Sequence, residues 1–433
     1  MWKLLTDNWK TPITYLVGVT LWINAISDGY LWVDSPDCFF FKCDYVHWNH
    51  DIHSSLRNAD GKHKALSTIS DADNVIGNRN DRFIETLKFM AEKDFVKAIF
   101  VSSMPMSQVV WTDYDGIINE VKDSTTTPIF HVPSRSMTDC WLEWYSDLLF
   151  SLAKNIDISW WVTKKENVAI VWNLFDRNEW DCVWNVEELK YLLTSLWLNV
   201  VSIWLDWGDF ESVTKIKDAG TIISLPYWRK AAKKIATRLW ADIVELDIPF
   251  WFSKTQKFIT TLWDHFWIPE VAKNLIAHEL TVRNTIDTLK WVIPHTFLWK
   301  KAFFYGDPYV LNGFIDICRE VWIEIVGAYL HGEEKHLKNN VDIYLDGVPL
   351  NNDGEKDAIK QSYSQNEQQV GYDFVVWNAH IDISLLKDVP FVQFWFPSYD
   401  YHVYTPTPFY GYRWTMNFLN RIANSINEYK RYQ

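Results

Sequence analysis

The chain has 433 residues, too many for one ordinary domain, so two or three domains with separate cores are expected. Hydrophobic residues at 48% and charged residues at 22% are globular proportions that exclude wholesale disorder. A formal net charge of −13 argues against a general nucleic-acid binder, and five Cys are too few for a disulfide scaffold and suit a reducing compartment.

The N-terminal segment MWKLLTDNWKTP lacks the apolar core of a signal peptide. The apolar stretch 13–26 is shorter than the roughly 20 residues that span a bilayer. A soluble, cytoplasmic protein with no membrane or nucleic-acid partner is the expectation.

Strand and helix signals then alternate, the pattern of parallel α/β sheets. YLWVDS (30–35) reads as an apolar strand running into a turn at Pro36. Residues 81–93 have helical periodicity, 97–103 and 127–133 read as buried strands, and 142–153 as a helix. The polar break 154–167 reads as a linker. A second unit follows, with a strand at 168–176, then a helix at 185–197 and a strand at 199–205. Helix 209–218, strand 221–225, helix 228–239 and strand 242–246 complete it. A long helix is predicted over 270–291. A third unit opens at 300–308 and continues with helix 309–321 and strands 323–329 and 341–345. The polar segment 350–370 reads as a surface loop with a short helix. Strands 373–378 and 390–397 and an amphipathic helix over 412–429 close the chain. The fold class is therefore α/β, with three Rossmann-like parallel-sheet domains over residues 1–165, 166–295 and 296–433.

One composition figure conflicts with this reading. The chain has 27 Trp and only 15 Gly, whereas average usage puts Gly near 7%, roughly 30 residues here. Trp180, Trp184, Trp197, Trp207, Trp240, Trp263 and Trp267 fall at expected helix ends or tight turns, where Gly supplies positive φ. The expectation is that many of these Trp stand where the source organism specifies Gly through UGA codons. Trp141 is the best candidate for a genuine Trp. The plain alternative is a Trp-rich protein.

Several motifs are missing. No GxxxxGK[ST] argues against a P-loop ATPase, and no GxGxxG or GxSxG occurs even with Gly restored at the suspect positions. The densest chemistry lies in SPDCFFFKCDYVHWNHDIH, where Cys38 and Cys43 precede His47, His50 and His53. Thiolates and imidazoles so close together can hold zinc or an iron–sulfur cluster, although the spacing is no known zinc-finger rhythm. The bland reading is a buried turn whose imidazoles cap nearby backbone. Cys38 follows a strand at a Pro turn, the carboxyl edge where α/β sheets place ligands. His47, His50 and Asp51 are candidate acid–base residues beside it.

The Pro–x–Cys turn at 36–38 resembles the first cluster-ligating turn of the nitrogenase component 1 family. That family comprises the two subunits of the catalytic component, cofactor-assembly scaffolds and dark-operative protochlorophyllide reductase subunits. The similarity continues through residues 74–117, where Val110-Trp111-Thr112-Asp113 resembles an Ile-Gly-Asp-Asp motif, and resumes at 300–327 and 373–426. Several of the family's Gly positions hold Trp here.

The resemblance implies three Rossmann-like domains around a central cleft and a cluster shared between subunits. Cys38 matches its first ligand, residues 54–67 contain no Cys for the second, and Ser103 and Met104 stand at the third. Leu225 and Tyr410 stand where a molybdenum cofactor takes a Cys and a His, so that cofactor is not expected. The implied function is a nitrogenase-like reductase component acting on a substrate other than dinitrogen. It would accept low-potential electrons from an ATP-hydrolysing iron protein and hold an iron–sulfur cluster partly through Cys38 and Cys43. Its pairing partner would be a second component 1-like subunit or another copy of itself. The alternatives are a non-catalytic scaffold or pairing subunit of the same fold, and a zinc or mononuclear-metal protein.

Overall fold

A computed structural model describes residues 15–57, 61–71, 79–104, 107, 110–134, 141–159, 163–171, 176–226, 228–268, 273, 275–277, 284, 287, 292–330, 350–351, 371–378, 389–413 and 415–432. Among the described residues thirteen strands fall into three sheets, and every paired neighbour runs parallel.

The first sheet contains β1 (Gly29–Asp34), β2 (Ala65–Ser67), β3 (Ala98–Ser103) and β4 (Ile129–His131) in the order β2-β1-β3-β4. Every residue of β1 and β3 is buried, as in strands covered on both faces. The helix Asn80–Ala91 buries Phe83, Ile84, Leu87 and Met90, and the helix Tyr114–Lys122 buries Tyr114, Ile117, Ile118 and Val121. Both stripes follow helical spacing and meet Trp32, Ile99 and Val101 of the sheet in one core.

The second sheet, in the order β6-β5-β7-β8, contains β5 (Asn167–Val171), β6 (Asn199–Ile203), β7 (Thr221–Ser224) and β8 (Asp242–Glu245). Its helix Arg229–Leu239 buries Ala231, Ala232, Ile235, Ala236 and Leu239 and leaves its basic residues outside. The third sheet, in the order β11-β10-β9-β12-β13, contains β9 (Lys301–Gly306), β10 (Glu324–Leu330), β11 (Leu350–Asn351), β12 (Phe374–Trp377) and β13 (Phe391–Gln393). After β9, the Asp307 carboxylate accepts the N–H groups of Tyr309 and Val310, and Pro308 opens the helix Pro308–Val321. That capping chemistry is why the strand turns directly into a helix.

The chain forms two compact units. One comprises Ile13–Glu179 with Asn199–Glu245, and holds the first two sheets. The other joins Trp180–Leu198 to Leu246–Gln433 and holds the third. In the second unit, the Asn185 side-chain oxygen accepts the backbone N–H groups of Phe409 (2.9 Å) and Tyr410 (3.2 Å). Arg413 donates to the buried Glu188 carboxylate at 2.9 Å through Nε.

The α/β alternation is borne out, and local differences have physical reasons. The expected linker 154–167 shrinks, because the helix Trp141–Asn155 runs into it and β5 begins at Asn167. The apolar stretch 13–26 contains the helix Tyr15–Asn24, packed in the interior. Phe252–Phe266, unassigned by pattern, is a helix that buries Phe252, Thr255, Phe258, Ile259 and Leu262. Most of the expected helix 270–291, the strand 341–345 and most of segment 350–370 lie outside the described residues.

Backbone geometry isolates a set of Trp residues. Among the described residues eleven non-Gly residues have positive φ, and nine are Trp: 111, 197, 207, 240, 251, 267, 299, 322 and 395. The left-handed region costs an L-residue about 1–2 kcal/mol. Nine such residues cost on the order of 10 kcal/mol, comparable with the whole stability of a domain at roughly 5–15 kcal/mol. Of the positions singled out by sequence, Trp197, Trp207, Trp240 and Trp267 are in this set. Trp180 opens a helix, and Trp184 and Trp263 lie within helices. No helix among the described residues is long and apolar enough to cross a membrane.

Candidate functional site

In the first sheet β1 is followed on one side by β2 and on the other by β3, so the strand order reverses between β1 and β3. Ligands of open α/β sheets bind at the carboxyl ends of strands at such a reversal. Asp34 and Ser103 are paired neighbours at those ends, and the Met104 N–H donates to the Asp34 carbonyl at 2.9 Å. Beyond Asp34 the chain turns through Ser35-Pro36-Asp37 and places Cys38 just before the helix Phe39–Asp44. The exposed Cys38 sulfur lies 4.0 Å from the Met104 thioether. Partial burial, and then the neighbouring Asp37 carboxylate, push the Cys38 thiol up, while Lys42 pulls it the other way. Burial lowers the Lys42 ammonium.

A polar network supports this edge from inside. The buried Asp34 Oδ1 accepts from Thr68 (2.9 Å), Ser70 (2.9 Å) and Arg79 (3.0 Å). Its Oδ2 accepts from the Tyr114 hydroxyl at 2.6 Å. Arg79 also donates to Ser70 and to Thr112, each at 3.1 Å. Burial, then Asp34, push the Tyr114 phenol up, and a hydrogen bond with the buried Ser103 opposes them. The residues that resemble the family motif at 110–113 therefore join this network through Thr112. Sequence reasoning passed over Asp34, Arg79 and Tyr114. An acidic residue closing an otherwise apolar strand was the available signal.

The other candidates are placed elsewhere. Cys43 is fully buried, and burial drives its thiol well above the ordinary range. His47 is partly buried in the π-helical turn Tyr45–His50, and desolvation lowers its imidazole. His50 is buried with Nε2 3.1 Å from the Asp176 carbonyl and 3.4 Å from its carboxylate. The buried Asp51 accepts from Asn24 (2.6 Å), the Asn178 N–H (2.9 Å) and the His53 N–H (2.9 Å). Burial raises its carboxyl. Cys38 thus meets Met104 at the sheet edge, while His50 and Asp51 tie the turn to residues 176–178.

The donors do not fit a self-contained iron–sulfur cluster. Such clusters are held by several Cys thiolates, and this edge offers one exposed thiol, one thioether and one buried hydroxyl. Among the described residues no three His, Cys, Asp or Glu side chains are grouped to hold a metal ion.

Fold and edge together define an α/β protein with parallel sheets and a thiol-bearing switch point. The family model for nitrogenase component 1 type oxidoreductases matches residues 24–427, and the chain belongs to that family. Among solved structures it is similar to one described as "Nitrogenase Cp1 at pH 6.5", with a TM-score of 0.77 and 15% identity, covering 96% of this chain and 92% of that one. A second, "Nitrogenase Cp1 at pH 5", gives a TM-score of 0.74 and 13% identity over 98% and 90% of the two chains. These likenesses establish the fold. No curated protein sequence matches the chain.

Proposed function

We propose that this chain is a subunit of a nitrogenase-like reductase. It receives low-potential electrons from an ATP-hydrolysing iron protein and serves the reduction of a substrate other than dinitrogen. The observation that carries the reading is the exposed Cys38 thiol at the switch point of a chain that matches its family over residues 24–427. Because this chain's donors are too few, any cluster at Cys38 takes its remaining thiolates from a second component 1-like subunit or a second copy. His50 and Asp51, buried and bonded, shape the turn and are not proposed as proton donors. Leu225 and Tyr410 are buried and carry no thiolate or imidazole, which supports a site without the molybdenum cofactor.

The Met104 thioether beside Cys38, where the resemblance implies a thiolate, favours a second reading: a pairing subunit whose partner holds the cluster. Iron and sulfide content of anaerobically purified protein, alone and assembled, separates the two. The reductase reading expects iron in the assembly that Cys38→Ala removes and Cys318→Ala leaves unchanged. Equal iron in both variants removes Cys38 from the site and favours the pairing subunit.

A further inference from the structure

We infer that the natural protein carries glycine at nine positions written here as tryptophan: 111, 197, 207, 240, 251, 267, 299, 322 and 395. Composition reveals the Trp surplus, and the backbone reveals the positions. Among the described residues, positive φ occurs at three Gly, nine Trp and two others, Ile69 and Leu205. In an ordinary chain Gly dominates that region, because only Gly enters it without a Cβ clash. Indole has no chemistry that substitutes for that freedom.

Four of the nine repeat one hydrogen-bond motif. At the ends of four helices the backbone N–H two residues past the last turn reaches back five residues to a helix carbonyl. Ala241 bonds Ala236 (3.0 Å), Ile268 bonds Trp263 (3.4 Å), Ile323 bonds Cys318 (2.8 Å) and Leu198 bonds Leu193 (3.1 Å). This is the Schellman closure, whose left-handed residue is normally Gly. In each case that residue is the Trp: 240, 267, 322 and 197. Trp251 is more constrained, because φ 77° with ψ 167° lies in a region essentially restricted to Gly.

The rings agree with the backbone. Trp111, Trp240 and Trp267 are 91%, 83% and 86% exposed, and Trp197, Trp299 and Trp322 are also exposed. A large apolar side chain selected for packing is not left in solvent at one helix end after another. Trp251 is buried against Phe252 at a centroid distance of 5.0 Å, and its assignment rests on the backbone alone. Trp204 shows the opposite pattern. It is absent from the positive-φ set, fully buried, and its indole N–H donates to the Val213 carbonyl at 3.1 Å. Trp22 and Trp32 pack edge-on against Phe100 and Phe83 at centroid distances of 4.5 and 4.8 Å. These three belong to the natural protein as Trp. The exposed rings therefore form no docking surface, and the turn beside Thr112 is a glycine turn.

Peptide sequencing by tandem mass spectrometry of the protein isolated from its own source decides the matter. The expected result is Gly at 240, 267, 322 and 197 and Trp at 204, with UGA codons at the first four and UGG at the last. Trp at those four positions, or UGG codons there, overturns the inference. Recombinant protein gives a second readout. The variant with all nine changed to Gly is expected to melt at a higher temperature and to yield more soluble protein than the chain as written, and an equal or lower melting temperature counts against the assignment.

Discussion

Arg79 and Asp34 form a buried ion pair at 3.0 Å beneath the carboxyl edge of the first sheet. Because Asp34 also accepts from Thr68, Ser70 and Tyr114, its charge is fully surrounded by donors. Breaking one side of a buried pair leaves the other uncompensated, which costs about 3–5 kcal/mol. Arg79→Ala is expected to lower the unfolding free energy measured by denaturant titration by an amount in that range, and Asp34→Ala similarly. A loss below about 1 kcal/mol, the range of an exposed pair, would show that the pair is hydrated.

Lys64 predicts a pH dependence. Its buried ammonium donates to the Ile23 carbonyl at 2.9 Å and to that of Ile26, with Asp28 and Asp51 as the facing charges. Burial pushes it down to about 7 from 10.5. Between those values the unfolded chain binds the proton and the folded chain does not, so stability rises with pH across that window. The slope approaches about 1.4 kcal/mol per pH unit for one group. Lys64→Met is expected to flatten the rise in unfolding free energy between pH 7 and 10, and an unchanged slope assigns it to other groups.

Thiol accessibility ranks the cysteines. Cys38 is exposed, whereas Cys43, Cys182 and Cys318 are buried. Brief treatment of the native protein with iodoacetamide should label Cys38 and spare those three, with the rate rising toward alkaline pH because the Cys38 thiol is pushed up. Equal labelling of Cys43 and Cys38 would mean that the helix Phe39–Asp44 opens in solution.

Asp51 separates support from proton transfer. Asp51→Ala leaves the buried Asn178 N–H without its acceptor, at about 1–3 kcal/mol. Asp51→Asn retains a side-chain oxygen and should recover much of that stability. If Asp51→Asn instead folds like the parent but changes the pH profile of substrate reduction, the residue moves protons after all.

The sequence disclosed the fold where burial leaves a periodic trace. The apolar runs at 98–101 and 302–305 lie in strands, and Phe83, Leu87 and Met90 mark a buried helix face. The site was only half legible. Cys38 after a strand and a Pro turn was readable, because chain order fixes where a strand's carboxyl end lies. Asp34 and Arg79 are 45 residues apart, and their pairing depends on how helix and sheet pack, which no local pattern encodes. The His47–His53 cluster shows the same limit: spacing places imidazoles near one another along the chain but does not say which face of the turn is inside.

The helix Trp180–Ser195 belongs to the unit that also holds Leu246–Gln433. A ribosome releases it before any strand of the third sheet has been made. Asn185 and Glu188 meet Phe409 and Arg413 only after the chain has been made almost to its end. Folding during synthesis is therefore not strictly sequential in this chain, and the nascent helix waits through the completion of β6, β7 and β8. A fragment begun at Leu246 starts life without the segment that receives Arg413, so the part of the gene from Leu246 onward does not encode an autonomous module.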